Sequence, residues 1–162
     1  MSDQSNTTME GRCTCGAVRY RLNAKPLIVH CCHCTWCQRE SGSAFAVNAG
    51  IEAAQVELLQ GQPVNTTLSS ASGRGQLFWR CADCGITVWS NYPQAGPRIH
   101  FIRVGTLEEP SRVPPDVHIY TSTKQPWVIL PDGVAAVPEF YNPADTWPAD
   151  SLARFKAARA AP

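Results

Sequence analysis

The sequence lacks the features that would tie it to a membrane or to a nucleic acid. It has no continuous apolar run of about 18 residues, the length that spans a bilayer. Its first ten residues, MSDQSNTTME, are polar and contain no apolar core of a secretory signal. The net charge is +1 and no two Lys or Arg residues are adjacent, so no basic cluster suits a phosphate backbone. These absences argue against membrane and nucleic-acid partners and predict a cytoplasmic protein.

Cysteine, in contrast, is abundant, with eight residues in a chain of 162. The composition is 44% hydrophobic and 17% charged, which is typical of a globular domain that buries a core without disulfide support. The cytoplasm keeps ordinary thiols reduced, so many cysteines there indicate metal binding or catalysis more often than disulfides. We therefore expect a disordered tail over residues 1–10 and a single zinc-binding β domain over residues 11–162.

Short strands dominate the predicted secondary structure, because thirteen prolines and eleven glycines divide the chain into short segments. Alternating, β-branched or aromatic residues predict strands over 18–22, 45–47, 56–58, 77–79, 86–88, 99–104, 117–120 and 127–130. The continuous run Leu77 to Trp79 predicts a strand buried on both faces. Two helices are predicted, one over Thr35–Ser41 that ends at Gly42, and one over Asp150–Ala160 capped by Asp150 or Ser151.

Two short cysteine pairs lie far apart in the sequence, and each is followed directly by glycine. They read CTCG and CADCG. A tetrahedral zinc site with four thiolates is often built from two such pairs, so Cys13, Cys15, Cys81 and Cys84 are predicted to hold a structural zinc ion. Gly16 and Gly85 can adopt positive φ, which lets each turn direct backbone N–H groups at the thiolates. Disulfides and inert buried thiols remain the alternatives.

A third group, HCCHCTWC, places Cys32, Cys34 and Cys37 on one short segment. Three protein ligands with a vacant fourth position are typical of catalytic zinc. A closed, purely structural site remains the alternative, with Cys31, His30 or His33 as fourth ligand. Because alternate residues of an extended segment share a face, we expect Cys31 and His33 to point away from Cys32 and Cys34. Thiolate ligands favour zinc, although iron can occupy similar sites.

Together the motifs CxCGxVxY, CHCxxCQRxSGSAF and CxxCG resemble the glutathione-dependent formaldehyde-activating enzyme family, which also includes the centromere protein V type of domain. The resemblance covers roughly residues 11–130. It implies a mainly β, zinc-dependent fold of the kind called a β-tent, with two zinc ions and the ligand sets just described. It assigns no role to Cys31. The short C-terminal helix is a prediction from the sequence itself.

The activity implied by the resemblance is that of a carbon-sulfur lyase acting on glutathione or on small thiol-aldehyde adducts such as S-hydroxymethylglutathione. Cys32, Cys34 and Cys37 would be the catalytic ligands. Glutathione carries two carboxylates, so Arg39 and Lys124 are candidate binding residues, with Trp127 as a candidate wall of the pocket. Trp36 is a further candidate wall, whereas Trp79 and Trp89 are expected in the core.

Two other interpretations remain open. In one, the protein is a non-catalytic zinc-binding interaction module whose metals only hold the fold. In the other, it is a thiol redox protein that uses Cys31 and Cys32 directly, although the chain lacks an isolated C-x-x-C in a βαβ setting. His118 is expected to be a hydrogen-bonded structural histidine rather than an acid-base group.

Overall fold

Strands form most of the regular structure in the computed structural model, which describes residues 7–70 and 72–161. The strands of the described residues are β1 (Met9–Arg12), β2 (Arg19–Leu22), β3 (Ile28–Cys32), β4 (Ala46–Glu52), β5 (Val56–Gln60), β6 (Val64–Leu68), β7 (Gln76–Arg80), β8 (Thr87–Asn91), β9 (Ile99–Arg103), β10 (Val117–Ile119) and β11 (Ala135–Ala136). The helices are α1 (Thr35–Ser41), α2 (Pro143–Thr146) and α3 (Ala149–Ala160), and short 3-10 turns lie in several connections between strands. The prediction of a mainly β protein with a C-terminal helix is confirmed.

The strands form two sheets of unequal size. The smaller has the order β1-β2-β5, and the larger has the order β11-β10-β3-β4-β9-β8-β7-β6. β10 pairs in parallel with both β3 and β11, whereas the other pairs are antiparallel. In the parallel register His118 of β10 lies beside Cys31 of β3. The middle of the large sheet therefore carries the cysteine-rich segment.

Each face of the large sheet supports its own hydrophobic core. Residues 29, 49, 51 and 102 face the small sheet, where Tyr20 and Leu22 are fully buried. Residues 28, 32, 46, 99 and 101 face the opposite side and pack with Trp147, Leu152 and Phe155 of the C-terminal region. Because successive side chains of a strand point to opposite faces, β3 contributes residues to both cores.

The helices agree with the sequence except at one cap. α1 ends at Gly42, which has φ 67 and donates its N–H to the Gln38 carbonyl, as predicted. α3 begins at Ala149, after Pro148, so neither Asp150 nor Ser151 caps it and that prediction is wrong. Proline fixes φ and has no N–H to satisfy, which suits it to a helix start. The longest helix described has 12 residues, and none is long and apolar enough to traverse a lipid bilayer.

Two strand predictions need correction. The segment 127–130 forms no strand: Pro126 and Pro131 bracket it, the Val128 N–H closes a turn on the Gln125 carbonyl, and Ile129 is 91% exposed. Proline cannot donate to a sheet ladder, which outweighs the β-branched composition. The strand at Leu77–Trp79 exists, but only Phe78 of the three is buried, so its two faces are not both covered.

Several strands were not predicted from the sequence, namely β1, β3, β6 and β11. Within β1, Met9 and Glu10 pair with Leu22 and Arg21 of β2, although both lie in the stretch that the sequence assigned to a tail. Residues 1–6 of that stretch lie outside the described residues. β1 has four residues and too few apolar side chains to show an alternating pattern, so the sequence does not predict this strand, which forms by pairing with β2.

Candidate metal centres and an adjoining cavity

The two outer cysteine pairs converge on one point between β1–β2 and β7–β8. The sulfur atoms of Cys13, Cys15, Cys81 and Cys84 all lie within 4.8 Å of one another. Cys13 Sγ lies 3.5 Å from Cys15 Sγ, which lies 3.7 Å from Cys81 Sγ. All four thiols are free, and zinc with Zn–S bonds of about 2.3 Å would set tetrahedral sulfur separations of about 3.8 Å. The donor set and its spacing therefore fit one zinc ion.

The two turns that carry these pairs are built alike. Gly16 has φ 80 and donates its N–H to the Cys13 carbonyl, and Gly85 has φ 74 and donates to the Cys81 carbonyl. The Val18 N–H then donates to Cys13 Sγ at 3.3 Å. The prediction of positive φ at both glycines is confirmed. Only a residue without Cβ turns the chain this way at little cost.

Backbone N–H groups also act on Cys84. Those of Cys15 and Ile86 lower the pKa of Cys84 to about 6, because each donates a hydrogen bond that favours the thiolate. A thiolate stabilised by oriented backbone donors is the form in which cysteine binds a metal ion. The electrostatics of the turn thus agree with the spacing of the sulfur atoms.

The middle cysteines form a second cluster on the opposite side of the large sheet from the small sheet. Cys32 ends β3, Cys34 is the N-cap of α1 and Cys37 lies in its first turn, and their sulfur atoms lie within 4.8 Å of one another. The Cys37 N–H donates to Cys34 Sγ at 3.3 Å, so one thiol both caps the helix and faces the cluster. Cys32 and Cys37 are buried, whereas Cys34 is half-buried.

Contacts among these three thiols favour the thiolate form of Cys34. Contacts with the Cys32 and Cys37 thiols lower the pKa of Cys34 to about 2, and the same contact raises the pKa of Cys32. The Arg103 guanidinium lies within electrostatic reach of Cys37. A metal ion bound by the three sulfur atoms would displace the protons of these thiols.

None of the neighbouring candidates for a fourth ligand joins this cluster. His30 Nε2 instead lies 2.6 Å from the Tyr141 hydroxyl, while Cys31 and His33 gather with His118 on the other face of the sheet. The expectation that Cys31 and His33 point away from Cys32 and Cys34 is confirmed. Within residues 7–70 and 72–161, the group contains no fourth His, Cys, Asp or Glu.

Two tyrosines adjoin the three-cysteine cluster, and the sequence did not single them out. Burial raises the pKa of Tyr92 and of Tyr120, and the charges of nearby cysteines raise both further. Tyr120 has φ 55 and ψ 42, the only positive φ of a non-glycine residue in the described chain. Such backbone conformations are costly for a residue with a Cβ and occur preferentially at functional sites. No sequence pattern marks this position.

A cavity of about 520 Å³ opens beside Cys37. Arg80 and Arg103 each place a guanidinium carbon over the Phe78 ring, at 5.4 and 5.6 Å from its centroid. The lining comprises Trp36, Cys37, Arg39, Glu40, Leu68, Ser69, Gln76, Phe78, Arg80 and Arg103. The cavity therefore combines a residue of the candidate metal centre with three arginines and an aromatic wall.

Glu40 holds two of those arginines in place. Its carboxylate accepts from Arg80 at 2.8 Å, from Arg103 at 2.5 Å and from the Thr87 hydroxyl at 2.9 Å. Arg103 also donates to Asn48 Oδ1 at 2.6 Å. The side chains of Glu40 and Arg103 are only 11% and 10% exposed, so this ion pair is largely desolvated. Arg103 is the charged residue of the otherwise mostly apolar strand IHFIR, and this position was the one sequence feature that could have marked it as functional.

Of the three residues predicted to bind substrate, the structure brings only Arg39 to this cavity. The Lys124 ammonium donates to the carbonyls of Gln125 and Val128 within its own loop. Trp127, on the same loop, is 71% exposed and is not part of the lining. Trp36 does line the cavity, and Trp89 is buried in the core with Trp79 packed against it, as predicted.

The fold and these clusters define a mainly β protein with two clusters of cysteine thiols that suit soft metal ions. The chain belongs to the glutathione-dependent formaldehyde-activating enzyme family, whose model matches residues 8–123. A curated relative from Halomonas elongata, named "Putative glutathione-dependent formaldehyde-activating enzyme", is 25% identical over 124 residues, which cover 74% of this chain and 79% of the relative. A crystal structure of a Rhodobacter sphaeroides protein matches with 23% identity and a TM-score of 0.45, over 62% of this chain and 88% of the other.

Proposed function

We propose that this protein is a zinc-dependent carbon-sulfur lyase-like enzyme that acts on glutathione or on small thiol-aldehyde adducts such as S-hydroxymethylglutathione. One zinc ion would be held by Cys32, Cys34 and Cys37, and a structural one by the four outer cysteines, in a β-tent fold. The observation that carries the proposal is the position of Cys37, which belongs both to the three-cysteine cluster and to the wall of the arginine-lined cavity. A cytoplasmic location remains part of the proposal.

In the addition direction, a C–S bond forms between thiol and carbonyl carbon, the S–H and C=O π bonds break, and the proton passes to the new hydroxyl. Zinc, when bound, favours the thiolate of a substrate thiol. The cavity residues bind and orient the rest of the molecule. Arg39 is exposed at the rim and Arg80 is partly exposed, so either guanidinium can pair with a substrate carboxylate. Trp36 and Phe78 supply the apolar wall.

Lys124 and Trp127 remain proposed substrate contacts outside the cavity. Their loop is joined to α1, because Gln125 Nε2 donates to Gln38 Oε1 at 2.7 Å. Gln38 in turn donates to the carbonyls of His33 and Thr123. These hydrogen bonds hold the loop beside the helix that carries Cys37. Lys124 and Trp127 could therefore contact the far end of a ligand that extends out of the cavity.

A non-catalytic zinc-binding interaction module is the second candidate. The observation in its favour is the exposure of Trp127 and Ile129, 71% and 91%, on one loop. Exposed large apolar side chains that lie close together often mark a protein interaction site.

Native mass spectrometry of the reduced protein, with and without glutathione, tests the proposal. We expect two zinc ions and a glutathione adduct. Cys34→Ala should lose one zinc ion and the adduct. Arg39→Gln should keep both ions and weaken the adduct, whereas Arg12→Gln, an exposed arginine paired with Glu108 away from the cavity, should match the wild type. Formation of S-hydroxymethylglutathione is then followed by NMR. Two bound zinc ions without any adduct of glutathione or another small thiol would favour the interaction module.

A further inference from the structure

A third group of potential metal ligands lies on the other face of the segment that carries the three-cysteine cluster. Cys31 and His118 are register neighbours in the parallel pair β3–β10, and His33 follows two residues after Cys31. Alternation along an extended chain places all three on the side opposite Cys32 and Cys34. Their ligand atoms lie within 4.8 Å of one another. The proposed function uses none of them.

The three side chains are deeply buried, with 2% of Cys31, none of His33 and 6% of His118 exposed. Cys31 Sγ lies 3.6 Å from His33 Nε2, which lies 2.9 Å from His118 Nδ1. A metal ion with a sulfur bond of about 2.3 Å and a nitrogen bond of about 2.0 Å sets the two ligand atoms about 3.6 Å apart. The Cys31–His33 pair already has this spacing, and the two imidazoles need to separate by only about half an ångström.

Without a metal, the two imidazoles share one hydrogen bond, and His33 Nε2 also contacts Cys31 Sγ. His33 Nδ1 and His118 Nε2 have no hydrogen-bond partner within the described chain. Whichever ring donates to the other, one outer nitrogen is left as a buried N–H without an acceptor. These outer nitrogens are not the atoms that lie beside Cys31, and a metal ion held by His33 Nε2 and His118 Nδ1 would leave both of them as N–H groups. The metal site is therefore inferred from the spacing and the chemistry of the inner donor atoms. A metal ion would displace the hydrogen bond between the rings and the contact between Cys31 Sγ and His33 Nε2.

Charge and donor type select the ion. One thiolate and two neutral imidazoles carry a single negative charge, and the cluster contains no Asp or Glu among the described residues. A divalent ion would leave a net positive charge in a buried position, near the Lys124 ammonium that acts on His33. Thiolate and imidazole are ligands that Cu(I) accepts, and a monovalent ion leaves the group neutral. We propose that Cys31, His33 and His118 form a buried Cu(I) site, in which binding releases the Cys31 thiol proton.

The test uses the reduced full-length protein loaded with zinc and titrated with Cu(I) buffered by bicinchoninate, with both metals counted by native mass spectrometry. We expect one copper ion per chain with no loss of zinc, and X-ray absorption showing one sulfur and two nitrogen neighbours. Cys31→Ser should weaken copper binding by more than about 100-fold, beyond the effect of losing an outer-shell partner. His118→Gln should do the same. His100→Gln, a histidine outside the cluster, should bind copper like the wild type.

Several results would overturn the proposal. Zinc release that matches copper uptake would show that copper takes the thiolate clusters instead. Unchanged affinity in Cys31→Ser would remove this cluster from copper binding. A third zinc ion that Cys31→Ser loses would show a divalent site and refute the charge argument. Near-UV circular dichroism verifies the fold of each variant. If Cys31→Ser does not fold, the copper affinity of His118→Gln tests the proposal in its place, and an unchanged affinity would refute it.

Discussion

Replacing Glu40 with glutamine measures how much the buried Glu40–Arg103 ion pair contributes to stability. The substitution keeps the size of the side chain but removes its charge, which leaves the Arg103 guanidinium buried with Asn48 Oδ1 as its remaining acceptor. Breaking a buried pair by removing one partner costs about 3 to 5 kcal/mol. Arg80 is 29% exposed and can turn to water, and glutamine still offers Thr87 an acceptor, so the lower end applies. We expect a loss of about 3 kcal/mol in the free energy of unfolding.

Glu108→Gln is the matched control. Glu108 pairs with Arg12 at 2.8 Å, a distance equal to that between Glu40 and Arg80, but the two side chains are 46% and 44% exposed. An exposed pair contributes below about 1 kcal/mol. In urea unfolding of the zinc-loaded protein, an m-value of about 2 kcal/mol/M would translate 3 kcal/mol into a midpoint shift of about 1.5 M for Glu40→Gln. If Glu40→Gln shifts the midpoint no further than Glu108→Gln, the desolvation argument is refuted.

Three further predictions concern single positions. Cys34→Ser and Cys34→Ala should both lose one zinc ion, but serine retains an N-cap acceptor for α1, so the alanine variant should be less stable to urea by about 1 kcal/mol. Burial lowers the pKa of His100 from 6.5 to about 4. At pH values between these two pKa values, the unfolded chain binds one more proton than the folded chain, so the free energy of unfolding falls as the pH falls through this window. Between pH 7.5 and 5, the wild type should lose about 2 kcal/mol more of this free energy than His100→Asn. Urea midpoints that change in parallel for the two proteins would contradict this prediction. Gly85→Ala, at φ 74, should cost about 1 kcal/mol in thermal unfolding, while Gly105→Ala, which has similar open space but no positive φ, should cost less than half of that.

Local patterns predicted the two thiol clusters, because a tight cysteine-pair turn is specified by the few residues around each pair. The glycine after Cys15 and the glycine after Cys84 were informative for the same reason. The opposite orientation of Cys31 and Cys32 also followed from local geometry, since a strand alternates its side chains.

Features that depend on distant residues could not be predicted. Glu40 and Arg103 are 63 residues apart, and nothing in either neighbourhood indicates that α1 faces the end of β9. The third cluster needs the parallel pairing of β3 with β10, which sets His118 beside Cys31. The strand expected over 127–130 failed because composition favours β structure there while the flanking prolines prevent pairing.

The separation of the two cysteine-pair turns along the chain has a kinetic consequence. Cys15 and Cys81 are 66 residues apart, so bringing them together in an unfolded chain costs about 4 kcal/mol of loop-closure entropy. Each turn can form early by itself, but the four-thiolate group is complete only after β1–β2 and β7–β8 have docked. Folding dominated by such distant contacts is slow. We therefore expect newly made chains to pass through a half-assembled stage in which paired thiols are exposed to oxidation and proteolysis, and a ready supply of zinc should shorten it.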